Sequence, residues 1–318
     1  MLIDFLLIVV GIAMVLGGAD RLTEGAASLA RRMNIPEIII GLTIVAAGTS
    51  APELFVSLVS ALKGTPNMAI GNVVGSNTMN AMLIVGCAAM AAPMVISRST
   101  VRKDIPFSVG ASLLLILLCV NSYLSRIDGI LLLLGFAFFM YYTLLQAKKG
   151  KASEKNDSGE PEQVEPVKQS SPWLAVLFVV LGLVLLVAGS NLFVDAAARV
   201  AYSLGLSEGV VGLTIVAGGT SLPELATSVV AARKGQSSIA IGNVIGSNVY
   251  NILLILGLTA AISPMQISGI TTVDMLMMLG SVSLVWLFSF TRFTVERWEG
   301  ALLAGGYVAY IVLLLSNV

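Results

Sequence analysis

The sequence predicts an all-α polytopic membrane protein: ten transmembrane helices built as two inverted five-helix repeats, with helices 2 and 7 broken. Three observations carry that prediction. Of 318 residues, 57% are hydrophobic and only 11% charged, with a mean hydropathy of +0.93, whereas soluble chains carry about a quarter charged residues. Ten apolar stretches follow one another, most of them near the roughly 20 residues that a membrane-spanning helix needs. The second half of the chain also repeats the first at a constant offset.

The apolar stretches run over 2–30, 36–61, 68–92, 105–123, 127–147, 172–201, 207–232, 239–262, 273–290 and 299–316. Met1-Leu2-Ile3-Asp4 lacks the basic start of a signal peptide, so the first stretch is read as the first span. Between the fifth and sixth lies KKGKASEKNDSGEPEQVEPVKQ. Rich in Lys, Glu, Ser and Pro, it is unable to bury a core and is expected to be a solvated tether. The expected organisation is a first repeat over 1–147, a linker over 148–171 and a second repeat over 172–318.

The repeats are read directly. GLTIVAAGTSAPEL (41–54) matches GLTIVAGGTSLPEL (212–225) at 12 of 14 positions, and GNVVGSNTMNAMLIVG (71–86) matches GNVIGSNVYNILLILG (242–257) at 10 of 16. An odd number of spans per repeat makes the second copy insert upside down. Placing both termini outside puts Arg31, Arg32, Arg98, Arg102, Lys103, Arg233, Lys234, Arg292, Arg297 and the linker lysines in the cytoplasm, with only Lys63, Arg126 and Arg199 outside and Arg21 within the first stretch. That distribution fits the positive-inside rule. The expected location is a cell membrane, with the bilayer as the surrounding partner.

Composition removes several classes of function. There is no histidine, so neither His-ligated metals nor Ser-His-Asp chemistry is available, and the chain is not expected to be an enzyme. Cys87 and Cys119 sit in separate apolar runs and read as small hydrophobes. Eighteen basic residues balance eighteen acidic ones, which argues against a nucleic-acid partner. No cofactor and no obligate protein partner are called for.

Glu53 and Glu224 are the acidic residues that fall mid-way along apolar stretches, at equivalent repeat positions. A carboxylate at membrane depth is costly unless it meets a cation, a proton or water, and marks function by default. Protonated glutamates bridging two helices is the structural alternative. Pro52 and Pro223 remove a backbone N–H and clash with the carbonyl four residues back, at Gly48 and Gly219. The second and seventh helices should break there, and irregular backbone at that depth is tolerated where it lines a cavity or binds something. Thr49 and Ser50 precede Glu53 by four and three residues, so all three share a helix face; Thr220, Ser221 and Glu224 repeat this. Carboxylates, hydroxyls and carbonyls are hard ligands suited to Na⁺ or Ca²⁺. The GSN-x-x-N segments place Ser76 with Asn80, and Ser247 with Asn251, four apart on one face. Asn77 and Asn248 turn away and are expected to cap or bridge helices.

These doubled GTS-x-PE and GSN-x-x-N motifs resemble the α-repeats of the calcium/cation antiporter superfamily, in its prokaryotic sodium/calcium exchanger branch. The resemblance spans nearly the whole chain. It implies a secondary active antiporter that exchanges Na⁺ for Ca²⁺ by alternating access. By motif position, Glu53 and Glu224 are the principal ligands of both ions, and Thr49 and Thr220 add oxygens to the Ca²⁺ site. Ser50, Ser76 and the Ala46 carbonyl serve one flanking Na⁺ site, and Ser221, Ser247 and the Ala217 carbonyl serve its mirror. Asn80 and Asn251 line the centre. Spans one and six are implied to slide as the gate, their packing eased by Gly17, Gly18 and Gly189. Family members often carry aspartate at the Asn251 position; asparagine in both repeats leaves two formal charges in the pocket. A Ca²⁺/H⁺ antiporter is the alternative, with the hydroxyl-rich flanks favouring Na⁺.

Overall fold

The computed structural model describes residues 2–153, 171–204, 217–268, 270–290 and 292–316. Its helices are α1 (Leu2–Met33), α2 (Glu37–Thr49), α3 (Ala51–Leu62), α4 (Pro66–Ala91), α5 (Ile105–Leu118), α6 (Arg126–Ser153), α7 (Pro172–Ser203), α8 (Ala217–Thr220), α9 (Leu222–Arg233), α10 (Ser237–Ile262), α11 (Thr272–Phe290) and α12 (Arg297–Ser316). Each of the ten apolar stretches carries described helix. Six described helices are long and apolar enough to cross a membrane, and α2 with α3 forms a seventh such span bent by 46°. The start of the seventh stretch, 207–216, and linker residues 154–170 lie outside the described residues. The fifth helix runs on to Ser153, past the 147 boundary read from composition.

The helix breaks fall beside the two prolines. Ser50 (φ −82, ψ 7) and Ser221 (φ −90, ψ 7) leave helical geometry, because Pro52 and Pro223 have no N–H to continue the ladder. Hydrogen bonding restarts two residues after each proline, with Leu54 N–H donating to Ser50 O at 3.1 Å and Leu225 N–H to Ser221 O at 3.0 Å.

Inversion of the repeats is visible in the packing. The first helices of the two repeats, α1 and α7, run antiparallel along their whole length. Gly11 lies against Gly189, Gly18 against Gly182 and Gly25 against Ala175, so that a Cβ on the three α1 glycines would sit 2.9, 2.8 and 2.8 Å from the facing carbonyl oxygen. A smooth stripe of this kind lets backbones approach without interlocking side chains. Gly17, by contrast, faces open space. Two short ladders obey the same two-fold relation: β1 (Met94–Val95) pairs with β4 (Thr294–Val295), and β2 (Tyr123–Leu124) with β3 (Met265–Gln266). The close pairs Gly86–Gly300 and Gly129–Gly257 are mates in the same way. At the centre α4 and α10 are enclosed by the rest, and every residue of α10 from Ile239 to Leu253 is buried.

Candidate ion-binding site

Each glutamate stands in the first turn of the helix that follows a break, Glu53 in α3 and Glu224 in α9, and each is 1% exposed. The N-terminal end of a helix carries partial positive charge, which favours a carboxylate there. None of the four described ion pairs, Arg21–Glu24, Arg31–Glu37, Arg199–Asp4 and Lys234–Asp20, involves either of them.

The hydroxyls cross between repeats. A serine at a helix start ordinarily caps its own backbone; Ser50 and Ser221 do not. Ser50 Oγ donates instead to Glu224 Oε1 and Ser221 Oγ to Glu53 Oε1, each at 3.1 Å. Ser221 Oγ also reaches Ser76 Oγ at 3.3 Å. Thr49, Ser50 and Ser247 therefore surround the Glu224 carboxyl, and Thr220 and Ser221 that of Glu53. The spacing argument placed Thr49 and Ser50 beside Glu53. Helical periodicity is interrupted at the break, and each serine turns to the opposite repeat. The Ala46 carbonyl accepts the Ser50 N–H at 3.0 Å and the Thr49 hydroxyl at 3.4 Å. Ala217 opens α8.

The asparagines complete the cluster from α4 and α10. Both helices widen into a π turn there, over Asn80–Ile84 and Tyr250–Leu256, a distortion frequent at functional sites. Asn80 Nδ2 donates to Asn248 Oδ1 at 3.1 Å and Asn251 Nδ2 to Asn77 Oδ1 at 3.0 Å, so Asn77 and Asn248 bridge helices as expected. These braces hold the amide donors on one side. Within the cluster four buried carboxylate and amide oxygens remain without a hydrogen-bond donor, Glu53 Oε2, Glu224 Oε2, Asn80 Oδ1 and Asn251 Oδ1, and the Ser247 hydroxyl beside them is also unpartnered. Buried acceptors are paired in the great majority of structures. Two carboxylate and two amide oxygens left unpaired together suit a hard cation. Among the described residues there is no group of three or more His, Cys, Asp or Glu that could hold a metal ion, so the hydroxyl, amide and carbonyl oxygens have to complete any cation site built on the two glutamates.

Two residues of the cluster's support went unread in the sequence. Asn72 Nδ2 donates to Glu53 O at 3.3 Å and to Ser57 Oγ at 3.0 Å, and Asn243 repeats both contacts with Glu224 O and Ser228 Oγ at the same distances. Thr49 Oγ1 donates to Asn243 Oδ1 at 3.0 Å. These amides pin the backbone carrying each glutamate. Their signal was their place in both GN-V segments at the repeat offset.

The sodium/calcium exchanger protein family model matches residues 3–145 and 174–316. The protein named CaxA from Alkalimonas amylolytica is 37% identical over 322 residues, covering the whole of both chains. The sodium/calcium exchanger MaX1 of Methanosarcina acetivorans is 32% identical over 98% of each chain. A solved structure of the sodium-calcium exchanger NCX_Mj, soaked with zero Na⁺ and Ca²⁺, superposes with a TM-score of 0.84 at 29% identity, covering 98% of this chain and 99% of its own.

Proposed function

Since the chain belongs to the sodium/calcium exchanger protein family, whose chemistry is cation antiport, we propose that it exchanges Na⁺ for Ca²⁺ by alternating access at the Glu53–Glu224 cluster. The observation that carries the reading is the set of four unpaired buried oxygens, two from each repeat. Glu53, Glu224, Asn80 and Asn251 hold Ca²⁺ at the centre, with Thr49 and Thr220 adding oxygens. Ser50, Ser76 and the Ala46 carbonyl, and Ser221, Ser247 and the Ala217 carbonyl, belong to the Na⁺ flanks. The cross-repeat serine contacts mean that each flank draws on both repeats.

Competition follows from electrostatics. Two carboxylates neutralise one Ca²⁺ or a group of Na⁺ ions, and both loads need the same oxygens. Moving the bare cluster through an occluded state would strand two unpaired charges, at several kcal/mol each. Loaded forms cross and the empty form does not, which makes the protein an exchanger and not a leak. If the Na⁺ load exceeds two charges, each net charge moved is worth about 2.3 kcal/mol per 100 mV. Ten crossings, termini outside and the linker in the cytoplasm of a cell membrane complete the proposal, in keeping with the inverted repeats and the placement of lysine and arginine.

The test is Ca²⁺ uptake into proteoliposomes loaded with Na⁺, beside matched vesicles carrying only a proton gradient. Uptake driven by Na⁺ and indifferent to the proton gradient is the expected result. Uptake driven by protons alone overturns Na⁺ coupling and assigns a Ca²⁺/H⁺ antiporter.

A further inference from the structure

The two helix breaks are not held alike. Pro223 lacks the N–H that would bond the carbonyl of Gly219, four residues back. That carbonyl is taken instead by Ser190 of α7, whose buried hydroxyl donates to Gly219 O at 2.5 Å. Pro52 treats Gly48 in the same way in the first repeat. The α1 residue that stands where Ser190 stands in α7 is Ala19, fully buried and without a donor.

The surroundings differ in the same sense. The helix α7 lies against both breaks: its Leu183 side chain occupies the space a Cβ on Gly48 would need, and Val194 does so at Gly219. The helix α1 runs along α9 instead, with Lys234 Nζ 2.6 Å from Asp20 Oδ1. Inverted repeats exchange their conformations when an alternating-access protein turns over. The contact that α7 makes with Gly219 then becomes a contact of α1 with Gly48. In that opposite state Ser190 has left its acceptor, and Ala19 offers Gly48 nothing. A backbone carbonyl unpaired at membrane depth is a standing cost.

We propose that Ser190 is a positioning residue that latches the state described here, so that the two access states differ by one buried hydrogen bond supplied from α7 alone. The proposal rests on the alternating-access reading above. Ser190 touches no ion; it sets how often the cluster faces each side. One net hydrogen bond shifts such an equilibrium roughly 3- to 10-fold.

Half-saturating Ca²⁺ measured separately at the two faces, in right-side-out and inside-out vesicles of the full chain, reads this directly. Apparent affinity at each face scales with the fraction of protein presenting the site there, so the ratio between faces reports the equilibrium. Ser190→Ala is expected to move the ratio roughly 3- to 10-fold, and Ser190→Thr, which keeps the hydroxyl, to hold it near wild type. Ala19→Ser supplies the missing donor to the opposite state, so it moves the ratio in the same direction as Ser190→Ala, and the double variant moves it by about the product. A wild-type chain that exchanges Ca²⁺ at neither face overturns the transport reading and the latch with it. Normal wild-type exchange overturns the latch alone if Ser190→Ala changes both faces by one factor, or if the two single variants move the ratio in opposite directions.

Discussion

Glu53 and Glu224 meet near-identical surroundings: a serine from the opposite repeat at 3.1 Å, an amide on the backbone oxygen at 3.3 Å and an unpaired second carboxylate oxygen. Ser190 and Ala19, at the same repeat offset on α7 and α1, differ in whether the side chain hydrogen-bonds. The centre of the molecule is thus chemically two-fold and the α1–α7 pair is not. Under the proposed alternating access, a cluster that takes the same ions from either side gains from equal halves. A bias between the two sides needs unequal ones, and the cheapest place for inequality is away from the ligands.

The largest expected effect tests the equality. Glu53→Gln and Glu224→Gln each remove one of two charges from the cluster, and breaking a buried charge cluster costs about 3–5 kcal/mol. Each should lower Ca²⁺ uptake into Na⁺-loaded proteoliposomes by roughly 100-fold or more, because every 1.4 kcal/mol is a factor of ten. The two losses should agree within a few-fold. A variant that transports at the wild-type rate would remove that glutamate from the site.

The glycine stripe between α1 and α7 comes next. A Cβ on Gly18 would lie 2.8 Å from Gly182 O and 2.8 Å from Leu186 N, both backbone, while one on Gly17 meets nothing within 4 Å. Gly18→Ala therefore forces α1 and α7 apart at a cost of about 1–3 kcal/mol, seen as a lower thermal midpoint and slower uptake. Gly17→Ala should change neither. Equal behaviour of these neighbours would mean that α1 and α7 do not pack through this stripe in the membrane.

Asn77→Ala and Asn248→Ala probe the cluster more gently. Each frees the amide of its partner, Asn251 or Asn80, to turn its oxygen away from the centre. Losing one buried hydrogen bond amounts to about 1 kcal/mol, so Ca²⁺ affinity in equilibrium binding should fall several-fold for Asn248→Ala and at least as far for Asn77→Ala, which also loses the bond from Asn77 Nδ2 to Asn248 O at 3.2 Å. Retention of full affinity would show that the Asn80 and Asn251 oxygens are held by something other than these braces.

How much of this was legible in the sequence divides along physical lines. The spans, the duplication, the breaks at Pro52 and Pro223 and the buried glutamates all follow from local chemistry, which a single helix already expresses. Partnerships across the repeat interface do not. The i, i+3 and i+4 spacing placed Thr49 and Ser50 on the Glu53 face, but Ser50 sits at the break, where that periodicity fails, and it joins Glu224 instead. The π turns at Asn80 and Tyr250 carry no composition signal. Asn72 and Asn243 lay within the quoted motifs, yet their role on the glutamate carbonyls appears only when α4 is set against α3 and α10 against α9. Ser190 was one hydroxyl in an apolar run until Gly219 came beside it.

The smallest effect sharpens the asymmetry. Lys234 Nζ bonds Asp20 Oδ1 at 2.6 Å, Asp20 O at 2.9 Å and Thr23 Oγ1 at 3.2 Å. At the repeat offset, Lys63 corresponds to Lys234, while Asn191 and Val194 replace Asp20 and Thr23. In the proposed opposite state Lys63 would then meet no carboxylate at these positions, and the Lys234–Asp20 pair would favour the same state as Ser190. Its side chains are 31% and 47% exposed, so solvent screens it, and such pairs contribute about 0–1 kcal/mol. Lys234→Ala should move the two-face Ca²⁺ ratio in the Ser190→Ala direction by about twofold. Raising ionic strength with choline chloride shortens the Debye length to roughly 3 Å at 1 M and should erase that shift while leaving the Ser190→Ala shift in place, because only the second contact is buried. A salt-resistant Lys234 effect would locate the asymmetry in the packing of α1 on α9 and not in its charge.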